Sequence, residues 1–385
     1  MIVIKRLFLL LIFLIPLSGS EARAENPDPV ASLLPRFEAL VQTSMLKKNV
    51  PGLAIAIVSK GKIIYVKGFG IRAIGQPDPI TKQTVFQLGS LSKAISSTLI
   101  AILKRENVLH LDHPMEFLPG TTLRHVLSHT TGIPSGGFNS LIERGGTREE
   151  AVRIIEGMTL EDAPGTKFSY HNLVYNFLVD AVEQQGGASF ESTLQHKLFG
   201  PLNMTQTSST WDSFMAAQNR AFPHTFKQTK GTKGKGSKKV VQKASYRVEY
   251  ANYPAAGGIS STIEDMAQFL AAVLGARPEV ITSQDLEEFI TPVIHTPDQW
   301  HRTQKYRDRI SKTQYGLGWR HMTFGDQSVV FHGGWVRGFC NTMAFLPEQD
   351  VGIIILQNAE SSLASQLSMQ FFDWILKMPP KNWIN

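Results

Sequence analysis

The chain has 385 residues, of which 42% are hydrophobic and 18% charged. That is an ordinary globular composition, long enough for one large domain or two. Its 39 basic and 32 acidic residues give a formal net charge of +7, and its single cysteine, Cys340, excludes an internal disulfide and reads as a small buried residue in an apolar run.

Residues 1–24 read as a secretory signal peptide: Lys5 and Arg6, an apolar run from Leu7 to Leu17, then Ala22-Arg23-Ala24 with cleavage before Glu25. The run is too short to span a bilayer comfortably, which takes about 20 residues. No cysteine follows it, so a lipoprotein is not expected, and no transmembrane segment is expected after cleavage. The chain is therefore expected to be periplasmic or secreted. In an exported protein the basic balance points to anionic envelope polymers or lipid headgroups, and no nucleic acid partner is expected.

Residues 25–385 then form one large domain. Leu33, Leu34, Phe37, Leu40, Val41 and Met45 recur at helical spacing between Pro29 and Lys48. Two β-rich runs, Gly52 to Ser59 and Lys62 to Gly70, flank Gly61 as a hairpin. Phe86 to Ile100 reads as an extended segment that turns at Gly89 into an apolar helix continuing to Lys104. From Leu111 to about Ile310 the patterns are mostly helical, with loops at Pro119-Gly120, Thr130 to Gly137 and Pro164-Gly165. Lys227 to Lys243 holds seven lysines and no acid, which predicts a mobile solvated loop with a possible second use as a strip for anionic envelope polymers. Strand patterns return at Tyr315 to His321, Ser328 to His332, Phe339 to Leu346 and Val351 to Leu356, and a helix from Ser365 to Lys377 closes the chain. The expected fold is α/β (α+β). An antiparallel sheet is built from both chain ends, about 29–75 and 315–385, and flanked by helices. A large, mostly helical region, about 76–314, is inserted in it.

Three stretches carry chemistry. Ser90 stands at a helix start, where free N–H groups and the helix dipole stabilise negative charge, and Lys93 lies one turn on along the same face. A lysine desolvated by apolar neighbours gives up its proton more readily and can act as a base, so Ser-x-x-Lys on a helix is a nucleophile and base pair; the plain alternative for Ser90 is an ordinary N-cap. Ser59-Lys60-Gly61-Lys62 matches the same spacing but falls in the hairpin turn. The second stretch runs from Pro164-Gly165 to Tyr170-His171-Asn172. A tyrosine beside a lysine shares its proton, and an asparagine amide offers a donor and an acceptor to a substrate amide. Tyr250-Ala251-Asn252 repeats this pattern without the preceding turn and ranks below it. The third is His332-Gly333-Gly334-Trp335, expected between two strands, where the glycines let a substrate backbone approach and a polar residue meets a substrate carboxylate or the Ser90 proton network. No group of residues reads as a metal site, and no cofactor is expected.

Gly89-Ser90-x-x-Lys93, Tyr170-x-Asn172 and His332-x-Gly334, in this order, resemble the three motifs of the serine β-lactamase and penicillin-binding protein superfamily. The nearest branch is the class C β-lactamase-like group, with its D-alanyl-D-alanine carboxypeptidases, D-aminopeptidases and esterases. Leu127 to Ile133, Ala255 to Thr262 and Tyr315 to Trp319 are similar to further stretches of that group, so the likeness spans Val30 to Leu376. The resemblance implies attack by Ser90 to give an acyl-enzyme, base and relay roles for Lys93 and Tyr170, an oxyanion hole from the backbone N–H groups of Ser90 and Trp335, and Asn172 on a substrate amide. It implies a structural role for His129. His332 replaces the lysine of most β-lactamases; a neutral imidazole anchors a carboxylate weakly, and Arg337 is the candidate for the missing charge. The implied substrate is a β-lactam, a D-amino-acid peptide of peptidoglycan or a small ester. The competing reading is a non-catalytic peptidoglycan-binding protein.

Overall fold

A computed structural model describes residues 28–135, 141–142, 144–229, 238–297, 299, 301 and 306–384. The expected signal peptide lies outside the described residues. Among the described residues no helix is long and apolar enough to cross a membrane.

The centre is one eight-stranded antiparallel sheet drawn from both ends of the chain. Strands β1 (Gly52–Ser59) and β2 (Lys62–Gly70) form the N-terminal hairpin. Strands β3 (Phe86–Gln87), β4 (His224–Thr229), β5 (Lys238–Lys243) and β6 (Ser260–Ser261) lie outside this sheet. Strands β7 (Ile294–His295), β8 (Ile310–Tyr315), β9 (Arg320–Phe324), β10 (Gln327–Val336), β11 (Phe339–Leu346) and β12 (Val351–Gln357) complete it. The order is β2-β1-β12-β11-β10-β9-β8-β7, so the first hairpin joins the C-terminal strands by β1 pairing with β12.

Strands β1 and β12 are almost wholly apolar because both of their faces are covered. Along β1, Leu53, Ile55 and Ile57 pack under helix α1 (Leu34–Lys48) and the C-terminal helix Leu363–Ile375. The alternate residues Ala54, Ala56 and Val58 face the other core, shared with helix α2 (Leu91–Arg105) and the helix Ile263–Val273. The second core extends into the inserted helices, and α2, buried from Leu91 to Leu103, runs through it.

Three expectations need correction. The run Tyr315 to His321 is not one strand: Gly316–Gly318, with Gly318 at φ +86°, turns the chain between β8 and β9. The motif His332 to Trp335 does not sit between strands but inside β10, paired with Met343 to Cys340 of β11. The lysine-rich run is not a loop throughout: Lys227–Thr229 and Lys238–Lys243 belong to a two-stranded hairpin, β4 with β5, while its remaining residues lie outside those described. Thr225, Phe226 and Val241 give this hairpin enough strand propensity to override the lysines around them. Cys340 is a free, half-buried thiol whose pKa burial raises to about 11.

Candidate active site

Ser90 is the residue at which the extended β3 segment becomes α2. β3 is held by pairing Phe86 with Ser261 and Gln87 with Ser260, and Gly89 turns the chain at φ +57°. Only glycine fits there: a Cβ on Gly89 would lie 2.7 Å from the Trp335 carbonyl oxygen and 2.8 Å from its nitrogen. The missing side chain thus brings the Trp335 backbone against the residue preceding Ser90. Ser90 is the N-cap of α2, yet its side chain makes no capping hydrogen bond. The plain N-cap alternative therefore fails, and Oγ is left for the cleft.

Lys93 lies one turn into α2 and is fully buried. Its Nζ is 2.6 Å from Asn172 Oδ1, 2.6 Å from the Ala256 carbonyl and 3.4 Å from Ser90 Oγ. Burial pushes its pKa well below the ordinary lysine range, and the Arg320 charge pushes the same way. A neutral amine has two N–H groups and one lone pair. The two close oxygens take the N–H groups, and the lone pair is left to face the Ser90 hydroxyl.

Tyr170 arrives on a segment laid across the loop after the helix Leu123–Ser128. Gly165 (φ +87°) donates its N–H to the Thr130 carbonyl at 2.7 Å, and Ser169 donates to the His129 carbonyl at 2.8 Å. The Tyr170 ring rests on the His129 ring, centroids 4.3 Å apart, and its hydroxyl lies beside the Ser90 and Arg320 side chains. Burial raises the phenol pKa; the Arg320 charge and the polar Ser90 side chain offset that only in part, so Tyr170 enters the reaction with its proton. His129 itself, at φ +56° and with its pKa held well below the usual range by burial, shapes the seat for Tyr170 from beneath. Asn172 begins the short helix Asn172–Tyr175, gives its Oδ1 to Lys93 and keeps its amide nitrogen for a ligand.

His332 is not brought to the cleft. It is fully buried, with Nε2 3.1 Å from the Tyr315 hydroxyl and Nδ1 2.8 Å from the Gly333 carbonyl. Burial, then the charges of Arg320 and Lys93, hold its pKa well below 6.5. The expected contact with a substrate carboxylate is corrected accordingly: His332 is neutral and faces inward. Gly334 likewise serves the chain and not a substrate backbone, since a Cβ there would meet the Leu88 carbonyl oxygen at 2.0 Å. The neighbouring Gly333 is the open one, exposed and with only the Asn341 carbonyl oxygen 3.8 Å from its would-be Cβ. Arg337 is exposed beyond the end of β10, beside Trp335, and away from His332. Tyr250 lies near Gly89; Asn252 of the same pattern accepts a hydrogen bond from Asn176 through its backbone carbonyl.

Arg320 is the residue that sequence reasoning missed. The turn after Tyr315 places it on β9, opposite Phe331. Its guanidinium carbon lies 5.0 Å from the Tyr170 ring centroid and 5.4 Å from that of Tyr315, and Gln299 Oε1 accepts a hydrogen bond from it. The signal was its position directly after Tyr315-Gly316-Leu317-Gly318-Trp319, a stretch noted only for its likeness.

Known proteins resemble this chain at low identity. The protein flp of Staphylococcus aureus (strain COL) is 24% identical over 354 residues, 86% of this chain and 64% of that protein. The D-aminopeptidase of Gluconobacter oxydans (strain 621H) is 23% identical over 359 residues, 89% of this chain and 62% of that enzyme. The chain thus spans less than two thirds of the length of these relatives. In fold it is similar to the octameric penicillin-binding protein homologue from Pyrococcus abyssi, with TM-score 0.73 and 24% identity over 89% of this chain and 77% of that one. The family model described as Beta-lactamase matches residues 37–373, and the chain belongs to the β-lactamase family.

Proposed function

We propose that the chain is an exported serine hydrolase that cleaves an amide, in a β-lactam or a D-amino-acid peptide, through a Ser90 acyl-enzyme. The observation that carries this reading is the Lys93 amine, buried between two oxygen acceptors with its remaining direction toward an uncapped Ser90 Oγ. Export rests on the pattern of residues 1–24.

In the first step the Ser90 oxygen bonds to the substrate carbonyl carbon as its proton passes to the Lys93 lone pair. The carbonyl π pair moves onto oxygen, where the N–H groups of Ser90 and Trp335 receive it; each such donor is worth about 3–4 kcal/mol. The carbon–nitrogen bond then breaks as the Tyr170 hydroxyl gives its proton to the departing nitrogen. The proton on Lys93 then passes to the Tyr170 phenolate, whose ring centroid lies 4.8 Å from Nζ, and both groups are reset. Water repeats the attack on the ester and releases the acid.

With His332 neutral and enclosed, the cation beside the leaving group is Arg320, whose guanidinium carbon lies 5.0 Å from the ring centroid of the proton donor Tyr170. A carboxylate on the leaving group finds its counter-charge there, and this favours D-amino-acid peptides and β-lactams over neutral esters. The test is labelling by a fluorescent penicillin followed by mass spectrometry of the adduct. A single adduct on Ser90, absent from Ser90→Ala of unchanged melting temperature, is expected. Labelling that survives in Ser90→Ala overturns the nucleophile, and no labelling with rapid hydrolysis of nitrophenyl esters turns the reading toward an esterase.

A further inference from the structure

The cleft does not end at Ser90. From Arg320, opposite Phe331, to Trp335 is four residues along β10, roughly 13 Å at 3.3 Å per residue. Beyond Trp335 opens a groove of about 700 Å³ whose lining includes Trp335, Tyr250, Arg337, Lys227 and Glu360. Its walls meet at Gly89, the residue before the nucleophile. The Trp335 backbone abuts Gly89, and a Cβ on Gly257 would lie 3.0 Å from Tyr250 Cδ1 and 3.9 Å from the Gly89 carbonyl carbon.

The groove is built by firm contacts. The β4–β5 hairpin is locked onto the β10–β11 turn: His224 donates its N–H to the Gly338 carbonyl at 3.2 Å, Glu360 donates to the His224 carbonyl at 3.1 Å, and Gly338 (φ +84°) leaves no room for a Cβ beside Pro223. Its chemistry is amphipathic and positive. Trp335 is 50% exposed, a large cost in water for a ring that packs against nothing on that side. Lys227 and Arg337 are exposed and have no ion-pair partner among the described residues. Glu360, the acid of the lining, accepts the Gly338 N–H at 3.0 Å and is held to the backbone.

The proton donor Tyr170 and Arg320 mark the leaving-group end of the cleft, so the opposite end receives the acyl side. We propose that this groove is the acyl-side subsite and that it selects acyl groups carrying a carboxylate, set on Arg337 and Lys227 with the chain between lying on Trp335. The proposal rests on Ser90 being the nucleophile only for the direction of the substrate, not for binding itself.

Three 4-nitroanilides test it, of N-butyryl-, N-glutaryl- and N-(4-aminobutyryl)-D-alanine. They share one uncharged leaving group, so the Arg320 end contributes equally. In the wild type at low salt, kcat/KM for the glutaryl compound should exceed that of the butyryl compound about fivefold, and the aminobutyryl compound should be slowest. The ratio should fall about twofold in Arg337→Gln and in Lys227→Gln, approach one in the double variant, and shrink in 0.5 M salt. Calorimetric affinities of the same compounds for Ser90→Ala should follow the same order. Turnover of all three at equal rates overturns the subsite and leaves acyl transfer standing. Absence of turnover with selective glutaryl binding to Ser90→Ala overturns the mechanism and leaves the subsite. Equal binding of the three compounds to Ser90→Ala, or a preference untouched in the double variant, sinks the proposal.

Discussion

Lys93 and His332 are both fully buried bases, both pushed well below their ordinary pKa by burial, and both feel the Arg320 charge. They differ in where their nitrogens point. Lys93 spends its two N–H groups on Asn172 and Ala256 and turns its remaining direction toward Ser90, whose proton has somewhere to go. His332 has both nitrogens engaged, with Tyr315 and with the Gly333 carbonyl. Desolvation alone makes a neutral base; a reactive base also needs an unengaged lone pair aimed at an acidic hydrogen. The same burial that arms the lysine turns the histidine into a fastener between β10 and the end of β8.

The largest break in this comparison is at the lysine. Lys93→Met keeps volume and loses the lone pair, and acylation by a chromogenic cephalosporin should slow by about 10²–10⁴-fold, the usual worth of a positioned base. His332→Gln retains a hydrogen bond to Tyr315 and should slow the same reaction by less than about tenfold, since it disturbs only the packing of β10 against β8. Stopped-flow acylation rates decide, and a His332→Gln loss as deep as that of Lys93→Met would place the histidine in the proton path after all.

The elements carried by local pattern were legible in the sequence. Phe339–Leu346, apolar except for Asn341 and Thr342, has the bounds that its pattern predicts, and Gly61 at φ +71° closes the first hairpin. Ser90 and Lys93 were legible because three residues on one helix fix their juxtaposition whatever the rest of the chain does. Arg320 was not, because its partner Tyr170 is distant in sequence and the two meet only through sheet register and a glycine turn. The inward face of His332 was hidden for a related reason. Glycines in His332-Gly333-Gly334 suggest a loop, and only the pairing of Gly334 with Asn341, under the Leu88 carbonyl, shows that the strand runs through them. The lysine-rich run misled by composition, since alternation around Val240 and Val241 was outweighed by charge.

A smaller effect sharpens the role of Arg320, which depresses the pKa of Lys93 by its charge. A base is active when neutral, so kcat/KM rises with pH through the Lys93 pKa. Arg320→Gln removes the neighbouring cation, lets that pKa rise, and should move the acidic limb of the profile to higher pH. An uncharged substrate must be used, so that lost carboxylate binding does not distort the limb. A limb that stays in place, or moves toward acid, would show that burial alone sets the lysine.

The smallest effect is thermodynamic and belongs to His332. Its folded-state pKa lies well below 6.5, whereas in the unfolded chain it is free to take its ordinary value. Between those two values the unfolded state holds a proton that the folded state lacks, so stability increases with pH in that window and is lost as pH falls below about 6.5. Above the window both states are neutral and the histidine adds no pH dependence. His129, His171, His224 and His321 are lowered in the same direction, so the wild type should lose melting temperature on acidification as the sum of several such groups. His332→Gln cannot take up a proton. Its melting temperature should lie below that of the wild type at pH 8, where only the weaker packing tells, and the gap should narrow as pH falls toward 5. A gap that is constant with pH would mean that His332 titrates alike in the two states, that water reaches the ring, and that the contrast with Lys93 is one of position only.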